Sequence, residues 1–125
     1  MQLRLRLAAL FCLAPALGIA ESWSGALVDS RCYDSVTRNV NPTDTMSSVD
    51  RDKDWDVRYC TPKAKTRTFT VVPLNGMPSF QLDSSGNTKA AALVWKTGKK
   101  PFFAVVVTGQ MSKRTVKVDS IAAMK

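Results

Sequence analysis

The sequence predicts a mainly β protein: a small barrel of five strands with one short helix between the third and the fourth. Three observations carry this expectation. β-Branched and aromatic residues gather in short segments divided by turn residues, as in strands. Asn75-Gly76 separates two of these segments, which is hairpin chemistry. One stretch only, Lys89 to Thr97, places apolar residues at helical spacing, and it follows the third strand.

The elements follow in order. Residues 22–29 alternate, with Trp23, Gly25 and Leu27 on one parity and Ser22, Ser24 and Ala26 on the other, so a first strand with one buried face is expected. The stretch 30–65 is polar, contains Pro42 and Pro62, and reads as a long loop. Thr66 to Val72 is the second strand, and Leu74 to Pro78 the turn. Ser79 to Asp83 is the third strand, with Phe80 and Leu82 on one face. Asn87 or Thr88 is expected to cap the helix, whose Ala90, Leu93 and Val94 share a face and whose stop is Gly98. Phe102 to Val107 is continuously apolar and predicts a central strand buried on both faces. Gly109 to Ser112 are expected to turn the chain into Thr115 to Val118, with Val116 and Val118 inward, Lys117 outward and Ile121 closing the core. A helix between strands three and four of five is the order of an OB-type barrel. A plain antiparallel sheet with one packed helix is the alternative.

Residues 1–20 read as a secretory signal peptide. Arg4 and Arg6 form a basic start, Leu7 to Leu17 an apolar core, and Gly18-Ile19-Ala20 a cleavage site. The apolar run is too short for an anchor. Residues 21–125 are then one small exported domain, periplasmic or extracellular, with a net charge of about +6. Cys12 lies within the signal, and Phe11 before it does not fit a lipidation site. Cys32 and Cys60 remain, and an even pair in an exported domain predicts a disulfide. It would close a loop of about 28 residues and contribute ~3–4 kcal/mol. A redox or metal-binding pair is the alternative, disfavoured because there is no Cys-x-x-Cys spacing and no histidine.

The run Trp23-Ser-Gly25-Ala-Leu-Val-Asp29-Ser30-Arg-Cys32 resembles the W-x-G-x-hydrophobic-x-D-S-x-C opening of a family of small exported bacterial proteins grouped as a domain of unknown function. Cys60-Thr-Pro62 with Thr66 and Phe69 is similar to that family's second cysteine region, as is the stretch Leu82-Asp83-Ser-Ser-Gly86-Asn87-Thr-Lys89-Ala90-Ala91. Val107-Thr108-Gly109 and the run Val116 to Ile121 resemble its last hairpin. The insert 35–56 departs from the pattern, being longer and more charged. The resemblance implies an exported, OB-like, disulfide-tied domain and brings no activity with it.

Candidate sites are few. Asp50, Asp52, Asp54 and Asp56 alternate, and one loop could turn such carboxylates toward calcium, with Asp50, Asp52 and Asp54 as the candidate ligands. Against this, Trp55 stands where the turn glycine of a calcium loop belongs, and Arg51, Lys53 and Arg58 interleave, so a solvated, self-paired loop is expected. Residues 61–125 carry eleven basic residues and, as acids, only Asp83 and Asp119. Such a half attracts polyanions: acidic polysaccharide, lipid head groups, or extracellular DNA. Lys96, Lys99, Lys100, Lys113, Arg114 and Lys117 are the candidate anion-binding residues, with Lys113 and Arg114 in a loop that OB barrels use for ligands. The competing expectation is that these lysines only keep the domain soluble. Trp55 and Tyr59 are expected to be accessible, and Trp23 and Trp95 to belong to the core. Without histidine, a glycine-rich phosphate loop or a sheltered carboxylate pair, the residues do not point to an enzyme. A non-enzymatic binding domain is expected, the alternatives being a protein-interaction module docking through residues 33–59 and a calcium-binding domain.

Overall fold

The computed structural model describes residues 20–38 and 46–124, with the backbone alone for 46–52. The signal-peptide reading falls, except for Ala20, outside the described residues. Among the described residues there are five strands and three helices: β1 Glu21–Asp29, α1 Ser30–Thr37, α2 Met46–Tyr59, β2 Phe69–Pro73, β3 Phe80–Leu82, α3 Ser84–Thr97, β4 Ala104–Ser112 and β5 Thr115–Ala123. The strands close into a barrel in the order β1-β2-β3-β5-β4. Every neighbouring pair is antiparallel except β3 with β5. The expected β class, five strands and closure are thus present, with three helices in place of one short one.

β1 joins two partners. Glu21 to Ala26 pair with β4, and Gly25 to Asp29 pair with β2. The handover falls at Gly25, where a Cβ atom would lie 2.7 Å from the Val72 carbonyl oxygen. Only glycine lets the strands approach so closely there.

The barrel interior holds Leu27, Phe69, Val71, Phe80, Leu82, Val105, Val107, Val116 and Val118, with Ala90 and Val94 of α3 packed into the same core. A second cluster lies outside the barrel wall: Ala26, Val28 and Val72 against Tyr33, Val57 and Cys60. β1 is therefore buried on both faces from Gly25 to Val28, not on one. The cause is the segment read as a long loop. It supplies α1 and α2, which cover the outer face of β1 and β2. Cys32 and Cys60 form the expected disulfide, with Cα atoms 5.5 Å apart, and it joins α1 to the residue that follows α2.

β4 departs in the opposite sense. Val105 and Val107 are buried, but Ala104 and Val106 are only partly so, giving one buried face where two were expected. The second cluster covers β1 and β2 and leaves the outer side of β4 partly open. The Gly109–Ser112 turn is also displaced. These residues continue β4, the register slips between Thr108 and Gly109, and the turn is Lys113-Arg114. The slip lets the strand run on past a close approach of Gly109 to the Lys117 carbonyl.

The helix between β3 and β4 starts earlier than expected. Asp83 caps it, Oδ1 accepting from Gly86 N–H at 2.8 Å. Asn87 instead accepts from Phe69 N–H at 3.1 Å and ties the helix to β2. Gly98 ends the helix with φ 86°, a conformation that suits glycine.

Candidate anion-binding cleft

The last residue of β1 organises the cleft. Asp29 caps α1, its Oδ1 accepting from Cys32 N–H at 3.1 Å. Its Oδ2 accepts from the Thr66 hydroxyl at 2.7 Å. The Thr66 oxygen in turn accepts from Lys63 N–H at 3.0 Å, and Thr66 N–H donates to the Lys63 carbonyl at 3.1 Å. Residues 63–66 are thereby held as a turn against the start of α1, which is why β2 begins at Phe69 rather than at Thr66. Further ties fix the same loop. Asp29 N–H donates to Cys60 O at 2.8 Å and Ser30 N–H to Thr68 O at 3.0 Å. The Thr61 hydroxyl donates to the Lys100 carbonyl at 2.6 Å.

With Thr66 turned inward and buried, the flanking cations stand outward. Lys63, Lys65 and Arg67 are all exposed, as is Arg31 on the first turn of α1. These four and Asp29 line a cleft of about 520 Å³. Among the described residues none of the four forms an ion pair; the one salt bridge there is Arg58 to Asp54 at 3.3 Å, on the surface of α2. Asp29, already committed to two hydrogen bonds, is the sole carboxylate lining the cleft. Four cations against one carboxylate leave the cleft with a net positive lining.

A second recess, of about 440 Å³, adjoins through Lys63, which lines both. Its apolar lining includes Pro62, Val94 and Trp95, and Lys99 completes its basic side. Trp95 is 79% exposed, contrary to the expectation that it joins the core. The buried line of α3 is Gly86, Ala90 and Val94, spaced by four, and position 95 lies about 100° further round the helix. Trp23 does pack against the core, its ring 5.7 Å from that of Phe80.

The six sequence-predicted anion contacts do not gather in one site. Lys96 is in the last turn of α3 and lines a shallow recess with Lys89 and Asp119. Lys99 lines the Trp95 recess. Lys100 is partly buried, its ammonium 5.8 Å from the centre of the Phe103 ring. Lys113 and Arg114 form the β4–β5 turn, and Lys117 points outward on β5 opposite Gln110. Sequence reasoning missed all four cations of the cleft, Arg31, Lys63, Lys65 and Arg67, as a site. The alternation of cations at 63, 65 and 67 was a visible signal; the juxtaposition with Arg31 depends on the loop folding back on α1.

The aspartate run lies on α2, not in a loop. On a helix, backbone positions two apart are rotated about 200° around the axis, unlike the loop expected for Asp50, Asp52 and Asp54. The side chains of Asp50 and Asp52 lie outside the described residues. Asp54 is exposed and paired with Arg58. No group of three or more potential metal ligands occurs among the described residues. Trp55 and Tyr59, each 59% exposed as expected of accessible residues, stack on one another with centroids 4.8 Å apart. No helix among the described residues is long and apolar enough to cross a membrane. The chain matches no protein-family model, no curated protein and no solved structure.

Proposed function

We propose that this chain is a small exported, non-enzymatic binding domain built on an OB-like barrel, and that it holds anionic components of the cell envelope or its surroundings. One observation carries this reading: Arg31, Lys63, Lys65 and Arg67 line a single cleft without ion-pair partners among the described residues. Cations gathered on a hydrogen-bonded loop keep their charge available to a ligand. The position also suits an OB-like barrel, whose loop between the first and second strands is one of those that bind ligands. The signal-like residues 1–20, the resemblance to small exported proteins and the Cys32–Cys60 disulfide support the address.

The test is a titration with dextran sulfate, a sulfated polysaccharide, at rising salt. Affinity should fall on the order of tenfold or more between 50 mM and 200 mM salt, as counterion release requires. The variant R31Q/K65Q/R67Q should flatten that dependence. Salt-independent binding, or a triple variant that binds as the parent does, would remove this reading. A protein-docking role is favoured by a different observation, the exposed Trp55–Tyr59 stack on α2. Binding through it would resist salt and be lost in W55A/Y59A.

A further inference from the structure

We infer that the ligand class is an acidic glycan: a polymer of pyranose rings bearing carboxylates, with one ring on Trp95 and an adjacent acid group in the cleft of Arg31, Lys63, Lys65 and Arg67. This rests on the polyanion reading above and narrows it. The two recesses differ in chemistry and share Lys63. One is cationic; the other offers the largely exposed indole of Trp95 beside Pro62 and Val94. Their occupant therefore carries a flat, partly apolar face next to an anionic group. A sugar ring with an acid substituent has both.

Asp29 separates this ligand from other polyanions. An ionised carboxylate accepts about four hydrogen bonds. Two of Asp29's are taken, by Cys32 N–H and the Thr66 hydroxyl. The rest can accept from sugar hydroxyls, and the exposed Thr68 lining the same cleft adds a hydroxyl. The phosphodiester of DNA brings no such donor to Asp29. Single-stranded nucleic acid also favours an aromatic platform for successive bases. Here one ring serves the recess, while Trp55 and Tyr59 stack on each other. A bilayer would meet the surface as a plane, whereas Trp95 forms one wall of a recess.

The experiment titrates the protein and its W95A variant with oligogalacturonate, polyacrylate as a polyanion without sugar rings, an oligothymidylate and phosphatidylglycerol vesicles, by calorimetry and tryptophan fluorescence. Trp95 is exposed, so W95A should fold as the parent does. Expected is oligogalacturonate binding that quenches fluorescence and weakens about tenfold in W95A, the scale of a lost stacking contact, while polyacrylate affinity changes less than about twofold. Polyacrylate binding together with oligogalacturonate affinity that W95A leaves unchanged overturns the glycan assignment and spares the polyanion reading. Tighter, Trp95-dependent binding of the oligonucleotide or the vesicles overturns it in favour of that class. No binding of any probe overturns both.

Discussion

The Thr66 hydroxyl donates to Asp29 Oδ2 at 2.7 Å, across 37 residues of sequence. The same hydroxyl accepts from Lys63 N–H, so one oxygen joins the N-cap of α1 to the loop that carries Lys63, Lys65 and Arg67. The group is buried, and water cannot replace it cheaply. T66V keeps the shape and leaves a carboxylate oxygen and an amide without that partner. The expected loss is ~1–3 kcal/mol, read as a lower melting temperature, and dextran sulfate affinity should drop with it. T66S should restore both. A T66V protein that melts and binds like the parent would show that the hydroxyl does not hold the cleft.

The disulfide is the second prediction. It ties α1 to the end of α2, which together cover Ala26, Val28 and Val72 on the outer barrel wall. C32S/C60S should lose ~3–4 kcal/mol by the loop-entropy argument. Because the barrel core is a separate cluster, the strands should survive. Hydrogen exchange checks this: amides of α1 and α2 should lose protection while those of β4 and β5 keep it. Uniform loss of protection would mean that the two clusters fold as one.

Tyr33 gives a pH dependence. Burial raises its phenol above the usual value of 10.0, and the Asp56 carboxylate adds to the rise. The folded state thus favours the neutral phenol. Its contribution is fully present below about pH 10, where the unfolded phenol is also neutral, and is lost as pH rises through the higher folded value. Melting temperature should fall on the alkaline side of pH 10, and Y33F should show a shallower fall. Equal slopes for the two proteins would rule Tyr33 out as the cause.

Much of the barrel was legible because its signals are local. Val116 and Val118 alternate with Lys117, Phe80 and Leu82 share a face, and Asn75-Gly76 sits at a turn; each shows within a few residues. What was not legible depends on distant partners. α1 and α2 bring few apolar residues to that cluster, Tyr33 and Val57 among them, too few for a periodic signal, and they are secured by a disulfide and a barrel wall. Trp95 reads as core because it is large and lies beside Val94, yet the buried line of α3, Gly86, Ala90 and Val94, leaves position 95 outside. Lys63, Lys65 and Arg67 were visible as an alternation, but their meeting with Arg31 follows from the Asp29–Thr66 bond.

The start of α3 yields the last prediction, since sequence placed the cap at Asn87 or Thr88 and the structure places it at Asp83. Asp83 Oδ1 accepts from Gly86 N–H at 2.8 Å and from Val118 N–H at 3.2 Å, so the cap also fastens the helix to β5. D83A removes an N-cap, ~0.5–2 kcal/mol on its own, and strips a partner from a partly buried amide besides. Its total loss should be ~1–3 kcal/mol. N87A, which takes the acceptor from Phe69 N–H, should cost about 1 kcal/mol. The Thr88 hydroxyl bonds only the Ser84 carbonyl, at 3.2 Å and in solvent, so T88A should fall within about 0.5 kcal/mol of the parent. Urea unfolding of the three variants orders them. The ranking D83A, N87A, T88A places the cap at Asp83; a larger loss in T88A than in D83A would start the helix a turn later, where the sequence alone put it.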